Sequence, residues 1–357
     1  MRPQASRALS ALSALSALTA LGALSALLPL AAHAASFDCA KAKSPSEKLI
    51  CSDAALGALD ERLAAAYKGV SAALSAPQRA TLKESQRSWL KSWPLECSAD
   101  ARAKPLSLGA SALPCAKASY ERRLRDLGLT RDLGGAFTVY TLAYYSALPG
   151  PTAEELGGEE GGVARHTLRA PQVAEEGLAG DALALAKAVN AWLTPTAEEL
   201  KSLKGNGGET HFTVTLTAVT PALWRAAVSR EEMYFGAAHE SNSSEYRWFW
   251  TTQRRPLVAA DVFGAPGWEA TLAQLTFSAL KGSIPDDLDV SDPQSAEFVK
   301  LVSAPRSWDL TRAGLELNFD PYAVASYAAG PQSVVVPWAP LEALLTPSFK
   351  EARKGLR

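Results

Sequence analysis

The sequence predicts an α plus α+β fold: a three-helix N-terminal module stapled by disulfides, then a mixed domain with an antiparallel sheet and packed helices. Three observations carry this. All four cysteines, Cys39, Cys51, Cys97 and Cys115, fall in one short segment near the N-terminus, and none follows. That segment repeats apolar residues at three- and four-residue steps, the period of a helix face. Beyond residue 128 the pattern turns to short alternating and aromatic runs punctuated by Gly and Pro, as in a sheet carrying packed helices.

Residues 1–34 read as a secretory signal. Arg2 and Arg7 supply the positive start, the Ala-Leu-Ser run from Ala8 to Leu28 the apolar stretch, and Ala32-His33-Ala34 the small residues of a cleavage site. With Pro29 ahead of that site, cleavage before Ala35 is expected rather than retention as a membrane anchor, and no cysteine stands there to take a lipid. The cleaved chain is expected in the periplasm or outside the cell, without stable membrane insertion, where thiols oxidise.

The cleaved chain has 34 basic and 37 acidic residues, a net charge of −3, distributed unevenly. Residues 35–128 hold 15 basic and 10 acidic side chains (+5), and residues 129–357 hold 19 and 27 (−8). Such a split steers oppositely charged partners, and so modest a basic excess argues against nucleic acid.

Within 35–128, Ser44-Pro45-Ser46-Glu47 places a serine cap, a proline at the first helical position and a glutamate able to close a capping box. Leu49, Leu56, Leu59, Leu63, Tyr67, Val70 and Leu74 follow on one helical face. Ser75-Ala76-Pro77-Gln78 caps a second helix with Leu82, Gln86, Trp89 and Trp93 inward and Pro94 as its limit. After a loop over 98–114, Cys115 starts a third helix carrying Tyr120, Leu124 and Leu127, with Gly128 as its C-cap. So small a secreted core needs covalent help, and two disulfides supply it. Four cysteines permit three pairings. Cys39–Cys51 with Cys97–Cys115 is favoured, because each closes a short non-helical segment onto a helix end.

These residues carry a resemblance. Phe37-Asp38-Cys39, Glu47-Lys48-Leu49-Ile50-Cys51, Leu59-Asp60, Ala66-Tyr67, Gln86-Arg87-Ser88-Trp89-Leu90, Cys97, Cys115 and Tyr120-Glu121-Arg122-Arg123-Leu124 together resemble the LprI-like lysozyme inhibitor family. The resemblance implies a small helical, disulfide-bonded, envelope-facing module that inhibits lysozyme in some relatives. Trp93 departs from it, standing where relatives commonly carry a charged residue.

The remainder divides into a linker and first α+β part over 129–209, an α+β domain over 210–347 and a basic tail over 348–357. A strand is expected over 136–148, a Gly/Glu/Pro-rich loop over 149–162, a helix over 181–193 and a short helix capped by Thr194-Pro195-Thr196. Strands follow over 211–219, 223–235 and 245–253, and helices over 268–280 and 293–302. A terminal hairpin, 308–310 with 315–319, precedes a strand over 333–336.

The run from Leu315 to Pro331, with Asp320-Pro321-Tyr322 and Ser326-Tyr327-Ala328-Ala329-Gly330, and then Val334 to Trp338, resembles the signature of the RsiV-like extracytoplasmic family. Tyr234-Phe235-Gly236-Ala237-Ala238-His239 is similar to its Gly-Gly-Ala-His turn, and Asp261-Val262-Phe263 to its Asp-Leu-Phe segment. The resemblance implies a domain that, in a bacterial anti-sigma factor, senses lysozyme by binding it, and whose relatives accompany cell-wall deacetylases. Physically the signature reads as architecture: Tyr322 and Tyr327 pack their rings with wet hydroxyls, and Gly330 takes a backbone conformation other residues resist.

No zinc-binding His-Glu-x-x-His, no Gly-x-Ser-x-Gly elbow and no phosphate loop occurs in the sequence. His239-Glu240 beside Ser241, Ser243 and Ser244 reads as a turn histidine bonded to local backbone rather than a catalytic base, and the acidic run Asp286, Asp287, Asp289 and Asp292 lacks the pattern of a calcium loop. The sequence therefore predicts a non-enzymatic envelope binding protein with no cofactor and no metal, with lysozyme or another muramidase as partner. The alternatives are a peptidoglycan- or glycan-binding accessory module and a structural envelope protein. Candidate binding residues are Trp89, Tyr234, His239, Trp248, Tyr322 and Tyr327. Exposure of Tyr246, Trp248 and Trp250 would favour glycan stacking; a broad acidic face would favour a cationic protein.

Overall fold

The computed structural model describes residues 35–158 and 162–356, so the expected signal over 1–34 lies outside the described residues. Helix α1, Pro45–Ser52, opens on the anticipated capping box: Ser44 Oγ accepts from the Glu47 N–H at 3.2 Å, and Glu47 Oε2 accepts from the Ser44 N–H at 2.8 Å. The apolar period then continues, but the helix does not. Asp53 is extended and its carboxylate accepts from the Leu56 N–H at 2.8 Å, starting a new helix, α2, Ala54–Ala72. Helix α3, Ala76–Glu96, begins at the Ser75–Gln78 box and continues two residues past Pro94. So close to the helix end, Pro94 removes only one ladder bond, which is why it does not stop the helix where expected. Helix α4, Leu113–Asp126, starts two residues before Cys115 and is capped by Leu127 rather than Gly128. Disulfides join Cys39 to Cys51 and Cys97 to Cys115, the favoured pairing.

The strands of the main sheet are β1 (Leu129–Asp132), β2 (Phe137–Pro149), β3 (Val163–Val173), β4 (Gly208–Ala218), β5 (Leu223–Tyr234), β6 (Ser241–Trp250) and β7 (Arg255–Pro256). Their spatial order follows the chain, and every neighbouring pair is antiparallel except β3 and β4, which run parallel. That parallel pair needs a crossover. It contains α6 (Gly180–Leu193) and α7 (Ala197–Ser202), which follow the short α5 (Ala153–Leu156) in the 149–162 loop.

Alternation assigns the faces. Leu168 and Ala170 of β3, Phe212 and Val214 of β4, and Phe249 of β6 pack with Ala186, Val189 and Leu193 of α6. Tyr140, Leu142, Ala143 and Tyr145 of β2 share a core with the N-terminal helices, so the cysteine module is packed directly on the sheet. At the other end, Leu223, Trp248 and Trp250 pack under the C-terminal elements. These are α8 (Ala259–Val262), α9 (Trp268–Ser283), α10 (Ala296–Val302), a small antiparallel sheet of β8 (Trp308–Leu310), β9 (Gly314–Phe319) and β10 (Gln332–Pro337), then α11 (Trp338–Leu341) and α12 (Pro347–Ala352). Much of the stretch expected as a basic tail is therefore helix, and Phe349 of α12 is fully buried beside Trp338. No helix among the described residues is long and apolar enough to cross a membrane.

Candidate functional site

In the cysteine module the signature residues bind one another. The Trp89 Nε1–H donates to Ser119 Oγ at 3.2 Å, and its ring meets Tyr120 edge-on at 4.8 Å. The Tyr120 hydroxyl donates to Asp60 Oδ1 at 3.0 Å, and Asp60 Oδ2 accepts from the Ser36 N–H at 2.8 Å. Burial, reinforced by Asp60, pushes the Tyr120 hydroxyl far above its ordinary pKa, so it stays a donor. Arg123 donates from Nε to Gln86 Oε1 and from a terminal nitrogen to Ser85 Oγ, both at 3.0 Å. Trp93 joins the same aromatic cluster, 5.8 Å from Tyr120. Trp89, Trp93, Tyr120 and Arg123 are all buried. Trp89 is thus a core residue with no face for a partner, and the spacing that identifies the module records packing.

At the C-terminal end the candidate residues are brought together on a surface. The β5–β6 hairpin turns at Gly236, whose φ of +80° suits glycine, and presents His239. The His239 ring stacks on Tyr327 with centroids 4.0 Å apart, and Tyr322 lies 5.4 Å beyond. His239 Nδ1 donates to the Glu240 carbonyl at 2.9 Å, the local backbone bond expected of a turn histidine, and the Tyr327 hydroxyl donates to the same carbonyl at 3.0 Å. Both hydrogen bonds hold the ladder in place. Tyr322 is 68% exposed and has a φ of +70°, a conformation that costs a bulky side chain about 1–3 kcal/mol. Tyr234, at the start of the hairpin, is 55% exposed. Gly330 has a φ of +69°, the unusual backbone anticipated for it. Glu240, next to His239, is exposed and adds a negative charge at this rim.

Trp248 is not part of the rim. It is buried under the C-terminal elements and its Nε1–H donates to the Trp308 carbonyl at 2.8 Å. Trp250 is also buried, and Tyr246 lies half-buried beneath the Arg225 guanidinium, so this row offers no open aromatic platform. The cause is topological: the face of β6 that carries Tyr246, Trp248 and Trp250 is the one the small sheet and α9 cover.

Two clefts flank β6 next to the rim. One, of about 570 Å³, lies toward α7 and contains the ion pair of Arg247 with Glu199 at 2.8 Å. The other, of about 470 Å³, runs from Asn242 and Tyr246 to Tyr327 and Gln332. Ser244, Asn318, Phe319 and Asp320 form the wall between them. Asp320 Oδ1 accepts from the Ser244 N–H at 2.7 Å on the edge of β6 that β7 leaves unpaired, and burial raises the Asp320 pKa above the usual carboxylate range. Asp320 and Asn318 lie inside the Leu315–Pro331 run, and only the fold turns them toward β6 as cleft residues.

The remaining histidines sit elsewhere. His166 is buried with Nε2 bonded to the Gly205 carbonyl at 2.6 Å, and His211 Nδ1 meets Thr167 Oγ1 at 2.9 Å, with burial lowering its pKa. No group of three or more potential metal ligands occurs among the described residues.

Residues 39–127 match the family described as Lysozyme inhibitor LprI, and residues 260–339 match the family described as Protein of unknown function (DUF3298). No curated protein matches the chain in sequence. Among solved structures, the chain is similar to a DUF3298 family member from Bacteroides fragilis, with 13% identity and a TM-score of 0.43, over 61% of this chain and 98% of that one. It is also similar to a DUF3298 family protein from Pseudomonas aeruginosa, with 16% identity and a TM-score of 0.38, over 59% of this chain and 95% of that one. The chain thus joins a segment similar to the LprI family, toward its N-terminal end, to a segment similar to the DUF3298 family, toward its C-terminal end.

Proposed function

We propose that this chain is an extracytoplasmic binding protein that captures and inhibits a muramidase of the lysozyme class, with no chemistry of its own. The observation that carries the reading is the match of residues 39–127 to a family described as lysozyme inhibitors. Two disulfides suit an oxidising compartment, reached through the signal-like residues 1–34. Because the module's signature side chains are turned inward, capture falls to exposed residues, and the rim of His239, Tyr327 and Tyr322 is the best-built candidate. Its rings are held rigid before a partner arrives, which lowers the ordering cost of binding. Glu240 beside it and the −8 charge of 129–357 attract a cationic enzyme.

The non-enzymatic part of the reading rests on the use of the polar groups: His239 is bonded to backbone and stacked, not aimed at a nucleophile. A lysis assay tests the whole. Adding the purified chain in excess to a cationic animal-type lysozyme acting on bacterial walls should suppress lysis, and the chain alone should not clear walls. Undiminished lysis, or clearing by the chain that is lost in His239→Ala, would refute the reading.

A further inference from the structure

The cleft between β6 and the 320–333 segment contains polar groups that the protein itself leaves unused. Asn318 Nδ2 is buried with no hydrogen-bond partner among the described residues. Asp320 has one oxygen on the Ser244 N–H and forms no ion pair among the described residues, leaving Oδ2 to accept. Gln332 directs Nε2 inward to the Ala329 carbonyl at 2.7 Å, leaving Oε1 available. Asn242 likewise spends Nδ2 on Glu240 at 3.1 Å and keeps its carbonyl oxygen. The Tyr246 hydroxyl, able to donate and accept, also faces no protein partner among the described residues, and the Tyr327 ring forms an apolar wall. Donors and acceptors therefore converge beside an aromatic face in about 470 Å³, within the size of small-molecule sites.

The balance of these groups selects the ligand. An anion would meet the Asp320 carboxylate. A cation would satisfy Asp320 and Gln332 but leave the Asn318 donor buried and unpaired, at the usual desolvation cost. A neutral polyol with one apolar face satisfies donors and acceptors together while covering the tyrosine ring. We propose that this cleft binds a neutral pyranose sugar within a glycan chain, with Asn318 donating to a sugar or acetamido oxygen, Asp320 and Gln332 accepting from hydroxyls, and Tyr327 stacking on the ring. This goes beyond capture of a muramidase and does not depend on it.

Calorimetric titration of the full chain with N-acetylated chitotetraose, with cellotetraose as a second probe, tests the site in the absence of any muramidase. Saturable binding of at least one sugar is expected. Asn318→Ala should weaken it at least tenfold without lowering the melting temperature, since the donor it removes has no partner in the fold. That combination separates ligand contact from a structural role. No binding to either sugar, binding indifferent to Asn318→Ala, or binding of argininamide in their place would overturn the proposal.

Discussion

The Tyr145 hydroxyl donates to the Asp126 carboxylate, so a side chain of β2 and the last residue of α4 meet in a buried site. Asp126 also accepts from Arg169 Nε at 3.1 Å, and the Arg123 and Arg169 guanidinium groups approach the Tyr145 ring at 5.5 and 5.7 Å. Ser85 of α3 adds a bond to the Ala143 carbonyl. Module and sheet are therefore joined by polar bonds as well as by a shared apolar core, and should unfold together. Tyr145→Phe leaves Asp126 paired with Arg169 but removes one bond to a charged group, worth about 1.5–3 kcal/mol. Urea unfolding should show a single transition shifted by about that amount. Two separate transitions would mean that the two parts are independent.

The disulfides close segments of 12 and 18 residues, for which chain-entropy arguments give about 3 kcal/mol each. Replacing Cys97 and Cys115 together by alanine should lower stability by roughly that amount while preserving the far-ultraviolet circular dichroism of the helices, whose caps and aromatic cluster remain. Unchanged stability would show that the helical core suffices alone.

Asp320 provides a pH test. Burial raises its pKa in the folded state above the ordinary value of 3.8, so the folded protein holds this proton more tightly than the unfolded chain. The group's contribution is most favourable below pH 3.8 and is lost as pH rises through the raised folded value. Asp320→Asn keeps an acceptor for the Ser244 N–H and removes the charge. It should melt higher than the wild type at pH 7, with an advantage that shrinks on acidification. A lower melting temperature at pH 7 would contradict this account of Asp320 as a carboxylate kept in the cleft at a cost in stability.

Where local rules governed the chain, the sequence was legible. Capping boxes at Ser44 and Ser75, the Tyr322–Tyr327 contact and the β8–β9 hairpin all follow from spacing and short-range chemistry, and the favoured one of three possible cysteine pairings is the one observed. Strand β3 escaped notice because its inward residues include Ala164, His166 and Ala170, so the alternation in burial leaves little alternation in hydrophobicity. Asp53 escaped because the apolar period runs through the break it caps. The inward side of Trp89 was legible from its helical period, whereas Trp248 lies in a strand whose covered face only the small sheet and α9 decide. The clefts at Asp320 were invisible because they arise where β9 meets β6, residues 76 apart in sequence.

The central claim, capture of a cationic muramidase by an acidic, aromatic rim, is tested most directly by titrating the full chain into an animal-type lysozyme by calorimetry at 0.01 M and 0.15 M salt, where the Debye length is about 30 and 8 Å. The account predicts saturable one-to-one binding that weakens as salt rises and weakens at least tenfold in the Tyr322→Ala, Tyr327→Ala double variant. The absence of binding at either salt would contradict the claim of capture, and binding unaffected by the double variant would contradict its placement on the rim.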